Sequence, residues 1–533
     1  MLVSHRKAMS LFKSIAAFGG TTIISRVTGF VRDMLLATVL GAGAVSDAFF
    51  VGFKLPNLFR SLFAEGAFNS AFVPLAAAKF QKDREKAIKF SSDTLSALVF
   101  FLAIFIILFE IFMPYVMFAI APGFVDNPEK MEMATKLARI MFPFLLFVSV
   151  VSFQSGVLNS VGKFATAAAA PIILNLVMII AIFIPISIDR AETIAYSVTF
   201  AGILEVLWLV YFLKKENIHI RFSLQIFSIL KKKDIKTLFK RMGPGIMGSG
   251  IYQINVVVST IISSLIGTGA ISWLYYAGRI QQLPLGIVGA AIGVALLPIL
   301  SKHLENNETN EAFKTQNKAI EYGAILSIPA MIALIVLAEP ITNILFERGK
   351  FTPEDTKMTY KAIIAFALSL PFFVAVKALS QSFFARGDTK TPVKYGFISF
   401  IVNIVLSFAL MYPFGHVGIA LASTFSAIVS CYQYYFGLKK RGFWHLEPLL
   451  KKQILKIIFC SITMGAVIKI TEIALNLHLT NWLAKPLLAK LFIFGALCIL
   501  GLATFGFMAK ITKVIDLKTL RNVLLKRGKK NAR

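Results

Sequence analysis

Apolar runs of about 20 residues recur from one end of this chain to the other. "LSALVFFLAIFIILFEIFMPYVMF" (95–118) and "AAAAPIILNLVMIIAIFIPI" (167–186) are two of them. At about 1.5 Å of rise per residue, a helix of that length crosses a hydrocarbon core of about 30 Å. Inside such a core the backbone has to satisfy its own hydrogen bonds, which leaves only helices and closed barrels. The strict apolar/polar alternation of barrel strands is absent, so the runs read as membrane-spanning helices. Composition agrees: 57% of the 533 residues are hydrophobic, 16% are charged, and the mean hydropathy is +0.74. No stretch between the runs is long enough to bury a separate soluble core.

Hydropathy places about fourteen spans, centred near residues 27, 57, 105, 145, 175, 202, 254, 284, 328, 370, 402, 426, 464 and 496. The net charge of +29 would suit a nucleic-acid binder, but the basic residues fall in short segments between spans rather than in a patch interleaved with aromatics. They obey a different rule. With both termini in the cytoplasm, Lys79–Lys89, Lys214–Arg241, Arg386–Lys394, Lys439–Lys456 and Lys510–Arg533 share one side, opposite neutral or balanced loops such as "LGAGAVS", "ISIDRAE" and "YPFGH". The expectation is a multi-pass membrane protein with both termini in the cytoplasm that contacts no nucleic acid. Arg6, Lys7 and Lys13 precede the first apolar run as in a signal peptide, yet that run continues through charges without a cleavage site, so it is read as the first span. Met9 offers a second initiation position.

The chain also repeats itself. "GAGAVSDAFFVG" (41–52) aligns with "GTGAISWLYYAG" (267–278), "FPFLLFVSVVS" (142–152) with "LPFFVAVKALS" (370–380), and Asn175 with Asn403. The offsets are nearly constant. The expected fold class is therefore an all-α polytopic membrane protein: two pseudo-symmetric six-helix bundles plus two C-terminal helices. The expected boundaries are 9–213 and 242–440 for the bundles, 214–241 for a basic amphipathic cytoplasmic linker, 441–510 for the two additional spans and 511–533 for a basic tail. The linker carries nine Lys/Arg against two acids and alternates basic with apolar residues, which suits a segment lying on anionic headgroups. An even number of spans per half makes the repeat parallel, the arrangement of transporters that bind substrate between halves and rock one against the other.

Several spans carry charge. The first contains Arg26, Arg32 and Asp33, the second Asp47, Lys54, Arg60 and Glu65, and the eighth Arg279. Each such group costs several kcal/mol when it faces lipid, so all are expected to face a wet cavity or a partner. The five cations exceed the three acids. A basic cavity needs an anion, and the planar fork of arginine suits phosphate. Ion pairs that merely hold helices together are the plainer reading of the same residues. At helical spacing Arg26 and Asp33 lie on nearly one face and Arg32 about 120° away, so Asp33 can balance a neighbouring arginine while Arg26 meets a cavity.

Signs of an enzyme are missing. "GPGIMG" (243–248) fits a dinucleotide-binding pattern but opens an apolar span without a preceding strand, and no Walker A sequence is present. No metal-ligating or nucleophile–base constellation stands out, and Cys431, Cys460 and Cys498 lie in apolar spans without paired spacing. His416 and His478 read as loop residues; Asn403, Ser407 and Thr424 read either as the lining of a cation site between spans eleven and twelve or, more commonly for such residues, as hydrogen-bonding groups between helices.

The stretches "SIAAFGGTTIISRVTGFVRD" (14–33), "GAGAVSDAFFVGFKLPNLFRSLFAEGAFNSAFVPL" (41–75) and "SWLYYAGRIQQLPLGIVGAAIGVALLPILS" (272–301) resemble the MviN/MurJ lipid II flippases of the multidrug/oligosaccharidyl-lipid/polysaccharide exporter superfamily. The resemblance implies a flippase that carries undecaprenyl-pyrophosphate-linked peptidoglycan precursor, lipid II, to the outer leaflet. It implies substrate-binding roles in a basic cavity for Arg26, Arg32, Arg60 and Arg279, with Lys54 beside them. It places supporting or gating roles on Asp33, Asp47 and Glu65, and a lipid-tail groove on the last two spans. Lipid II, membrane lipids and the cell-wall synthesis machinery are the implied partners; no cofactor is expected, and a coupling ion is left unidentified. Gly278 precedes Arg279 and Gln282 stands where a glutamate can occur, so a gating ion pair around Arg279 lacks its acids and the cavity should be more electropositive. Exporters of other polyprenyl-linked glycans and membrane enzymes acting on lipid-linked sugars are the rival classes.

Overall fold

The computed structural model describes residues 2–61, 68–185, 188–479 and 482–514. Glu65 and the basic tail beyond Val514 lie outside them. Among the described residues the regular structure is helical and no strand occurs.

The first half of the repeat runs α1 (Leu2–Leu40), α2 (Ala44–Phe59), α3 (Asn69–Lys82), α4 (Arg84–Ile111), α5 (Met113–Ile120), α6 (Pro128–Met141), α7 (Phe144–Ser160), α8 (Phe164–Phe183) and α9 (Arg190–Lys215). A six-residue helix, α10 (Ile226–Lys231), lies in the linker. The second half runs α11 (Lys233–Ile266), α12 (Ala270–Glu305), α13 (Thr309–Val336), α14 (Ala338–Phe346), α15 (Pro353–Ala367), α16 (Leu370–Phe384), α17 (Lys390–Phe414) and α18 (His416–Lys440). The last two helices, α19 (Pro448–Leu479) and α20 (Leu487–Ile511), stand outside the repeat. The repeat is visible element by element: α2 and α12, α4 and α13, α6 and α15, and α9 and α18 begin about 225 residues apart.

Proline sets the matching breaks. Met141 ends α6 just before "FPF" and Ala367 ends α15 just before "LSLP", because proline supplies no N–H to the turn before it. Each pair still forms one long apolar rod, Pro128–Ser160 and Pro353–Phe384. Helix starts are capped by side chains: Asp83 accepts from the Lys86 N–H, Asn127 from the Lys130 N–H and Asp189 from the Ala191 N–H.

Ten of these helices or rods are long and apolar enough to cross a membrane among the described residues. The other four expected spans fall on α1, α2, α11 and α12. Three of these four carry the in-span charges. "GPGIMG" lies within α11.

The chain divides into two compact units, Met1–Ser272 with Arg348–Thr352, and Trp273–Glu347 with Pro353–Arg533. In the first, α1 packs on α8, α8 and α7 on α9, and α2 on α6, while α11 leans on α3, α4 and α5. A cluster of Phe68, Phe72, Phe90 and Phe153 forms its aromatic centre, and the linker residues Ile218, Ile229, Ile235 and Leu238 join that cluster. In the second unit, α13 packs on α16 and α19, α17 on α18, and α19 on α20. His416, expected in a loop, instead opens α18; it is buried, and its Nε2 lies 2.8 Å from the Met358 carbonyl oxygen.

Candidate functional site

α1 brings two arginines to different surroundings. Arg26 is exposed, whereas Arg32 is 3% exposed and Asp33 1%. The Arg32 guanidinium donates to Asp33 Oδ1 from Nη2 at 2.7 Å and from Nε at 3.1 Å. Its Nη1 donates to Asn175 Oδ1 of α8 at 2.9 Å, and its carbon lies 5.6 Å from the centre of the Phe53 ring. Asn175 in turn donates to the Ser25 carbonyl at 3.1 Å, so one amide ties α8 to α1 at two points. The geometry answers the question raised by the sequence: Arg32 is paired with Asp33 and held across the α1–α8 contact.

Asp47, in the first turn of α2, is completely buried and heavily bonded. Lys130 Nζ donates to its Oδ2 at 2.8 Å, and the Gly269 N–H donates to the same oxygen at 2.7 Å. The Ser272 N–H and hydroxyl donate to Oδ1 at 3.0 and 2.7 Å. The carboxylate therefore caps the start of α12 from another helix, where exposed N–H groups and the helix dipole favour an anion. Lys130 is itself 4% exposed and lies 4.1 Å from the centre of the Phe124 ring. Ser46 and Ser272 occupy matching positions of the repeat, and their hydroxyl oxygens lie 2.9 Å apart.

Two more contacts of this unit also fall on matched positions. The Gly123 N–H donates to Ser264 Oγ at 3.1 Å, and the Lys350 N–H donates to the Thr38 carbonyl at 2.8 Å. Gly123 and Gly349 correspond in the repeat, as do Ser264 and Thr38. A Cβ on either glycine would overlap the backbone carbonyl facing it, Ser264 or Thr38, so only glycine permits the approach.

Lys54, two turns beyond Asp47 on α2, donates to Thr260 Oγ1 of α11 at 3.2 Å. Arg60 lies where α2 widens into a π turn, a feature frequent at functional sites. It lines a cavity of about 450 Å3 within the first unit, shared with Asn57, Asn69, Ser155, Asn159 and the buried Glu205 of α9. The Oδ1 atoms of Asn69 and Asn159 are buried without a hydrogen-bond partner, so this cavity is polar and open to a guest with donors. In the second unit, Arg279 Nη2 donates to Tyr275 Oη at 3.1 Å and the guanidinium stacks over that ring at 5.2 Å.

Sequence reasoning missed Lys130, Glu205 and Asn69. Lys130 carried a signal: a lysine in the first turn of a helix opposes the dipole, which fits a role for a buried acid elsewhere. Glu205 carried one too, as a lone carboxylate within an apolar span. No group of three or more His, Cys, Asp or Glu able to hold a metal occurs among the described residues. The arrangement can bind anions and exchange ion pairs.

A family model described as "Lipid II flippase MurJ" matches residues 36–489. The chain is 39% identical over 509 residues to a probable lipid II flippase MurJ of Rickettsia prowazekii (strain Madrid E), covering 95% of this chain and 99% of the relative. It is 37% identical over 523 residues to a probable lipid II flippase MurJ of Rhizobium tropici, covering 97% of each. Among solved structures it is similar to a lipid II flippase MurJ in an inward closed conformation, with a TM-score of 0.76, 28% identity, and coverage of 93% of this chain and 98% of that one. The fold is shared with an inward-facing multidrug MATE transporter, at a TM-score of 0.65 and 15% identity over 81% of this chain and 99% of that one.

Proposed function

This chain belongs to the lipid II flippase MurJ family, and on that premise we propose that it carries lipid II across the bacterial inner membrane by alternating access. It is a transporter rather than an enzyme. The proposed cargo is a diphosphate joining a long prenyl tail to a disaccharide-pentapeptide, so the protein must receive two linked negative charges and later release them.

The observation that carries the reading is the unequal accommodation of charge on α1, α2 and α12. Arg32 and Lys130 are committed to Asp33 and Asp47 in buried pairs. Arg26 is exposed, Arg60 lines a polar cavity and Arg279 is half-buried beside a tyrosine. We assign the second group to the diphosphate and headgroup and the first to holding the helices that present it. Lys54 serves the headgroup when its Thr260 bond is released. Glu65 keeps its proposed gating role from the family resemblance.

Asp47 is the proposed latch. Its bonds to Lys130, Gly269 and Ser272 join α2, α6 and the start of α12, and opening one end of the transporter requires that they part. Substrate drives the exchange only to the extent that it binds one state better than the other. No resident cofactor enters the scheme. Both termini are placed in the cytoplasm, which sets the basic loops on the side where precursor and the cell-wall synthesis machinery meet the protein.

The test is complementation in cells that depend on this protein. Arg26→Ala and Arg279→Ala are expected to abolish growth and lipid II export while the protein still reaches the membrane at normal abundance. Normal export by both variants overturns the assignment of these arginines.

A further inference from the structure

Residues 216–232, which connect α9 to α11, are fastened along the first unit. The Arg221 N–H donates to Ser92 Oγ at 3.1 Å and the Ser223 N–H to Ser96 Oγ at 2.9 Å, both on α4. Lys232 Nζ reaches both oxygens of Asp93 at 2.8 and 2.7 Å. Lys163 pairs with Glu216 and Lys79 with Asp234, at 2.8 and 2.7 Å, and Arg84 donates to the Glu216 carbonyl. Ile218, Ile226 and Ile229 are buried on the inner face of this strap.

The outer face is unlike a solvated loop. Phe222 is 49% exposed, Phe227 79% and Leu224 85%. Around them Arg221, Lys231, Lys233, Lys236, Lys240 and Arg241 are exposed, and both acids of the segment, Glu216 and Asp234, are already paired. Ions therefore do not neutralise this face from within. Apolar side chains flanked by unneutralised cations are the pattern of an element lying in a lipid interface.

Depth follows from α4. Its last charge before the apolar run is Asp93, and every residue from Ala97 to Phe109 is apolar. Phe101 is exposed on that run and meets Phe239 of α11 edge-on at 5.4 Å. Ser96, which holds the strap, precedes Phe101 by about 7.5 Å of helix. Leu224, next to the Ser223–Ser96 bond, is thus set at the boundary between headgroups and hydrocarbon.

We propose that segment 220–241 is a docking surface for anionic phospholipid headgroups, with Phe222, Leu224 and Phe227 inserted below the phosphates and the surrounding Lys and Arg side chains over them. The linker then fixes the depth of the first unit in the bilayer, and anionic lipid strengthens that hold. Charge complementarity selects this occupant, because juxtamembrane cations gain from an anionic leaflet and lose that gain as salt screens it.

The test uses the full chain in nanodiscs of phosphatidylcholine alone or with 30 mol% phosphatidylglycerol, reading amide hydrogen exchange of residues 224–231. Anionic lipid is expected to slow exchange there at least threefold at low salt, with the difference collapsing in 0.5 M salt. Lys231→Gln with Lys233→Gln and Lys236→Gln should erase the lipid difference, and Leu224→Ser with Phe227→Ser should raise exchange in both lipids. These substitutions leave Lys232–Asp93 and the buried isoleucines in place; unchanged exchange at α4 checks that the fold is intact. As a second measurement, the indole fluorescence that Phe227→Trp introduces should be quenched by brominated lipid. Exchange equal in the two lipids, or fluorescence of the Phe227→Trp variant that brominated lipid does not quench, overturns the proposal.

Discussion

Asp47 is a carboxylate with no exposure, so its neighbours decide its cost. Removing one member of a buried ion pair strands the other charge, at about 3–5 kcal/mol, whereas removing both costs far less. Lys130→Met is therefore expected to lower the thermal unfolding midpoint in detergent more than Lys130→Met combined with Asp47→Asn. The double variant should recover stability without recovering transport; recovery of transport contradicts the latch. At Arg32, Asn175→Leu removes the acceptor of Nη1 and the tie to Ser25, so it should destabilise by about 1–3 kcal/mol through unsatisfied donors. A circular-dichroism melt that does not move contradicts the holding role. Outside the spans, Asp388 is held down at about 2 by hydrogen bonds from Thr391, side chain first and then backbone, and by Arg441. A depressed folded value means the stabilisation is present above the ordinary value of 3.8 and lost as pH falls towards 2. Thr391 amide protection, relative to the intrinsic exchange rate at each pH, should hold from pH 7 to 4 and fall below that; Asp388→Asn should flatten the profile, and a loss of protection near pH 6 refutes the assignment. The charged residues of α1 and α2 were legible because arginine and aspartate inside an apolar run demand an explanation. Their partners were not: Lys130 lies 83 residues from Asp47 and Asn175 143 from Arg32, distances that local spacing cannot bridge.

Helix type was written in run length, and helix breaks in proline. Of the four expected spans outside the ten apolar rods, α1, α2 and α12 carry charges that a lipid-facing helix avoids. For α19 and α20 the reverse holds: apolarity announced them, and nothing local disclosed how they pack. The structure places Met464 and Ile468 of α19 and Leu497 and Phe505 of α20 in one cluster with Ile328 and Leu337, sealed by the fully buried Trp482. At Gly501 a Cβ would lie 2.7 Å from Ile468 Cδ1, the close approach that small residues permit between membrane helices. Gly501→Leu is expected to overpack this contact and cost about 1–3 kcal/mol. Gly506→Leu, where a Cβ meets nothing within 4 Å, is the neutral control. Equal melting of the two variants contradicts the packing described.

Across the whole chain the two halves keep one helix order but not one chemistry. Trp273 and Asp355 stand where Asp47 and Lys130 stand in the first half, and there the Trp273 indole donates to Asp355 Oδ1 at 2.9 Å in place of an ion pair. The repeat was legible from "GAGAVSDAFFVG" and its counterpart; the altered use of the same positions was not, because a substitution shows only that one partner changed. The division into compact units was not legible either, since α11 opens the second half of the repeat yet packs on α3, α4 and α5. Family membership fixes the class of cargo to test, and the excess of cations on α1, α2 and α12 gives it a physical reason. The most direct measurement is therefore sidedness: deplete the protein in cells that depend on it and probe lipid II from outside with a membrane-impermeant reagent. The account predicts that externally accessible lipid II falls while total lipid II is maintained or rises, and that the wild-type chain but not Arg26→Ala restores accessibility. Undiminished access after depletion, or restoration by Arg26→Ala, contradicts it.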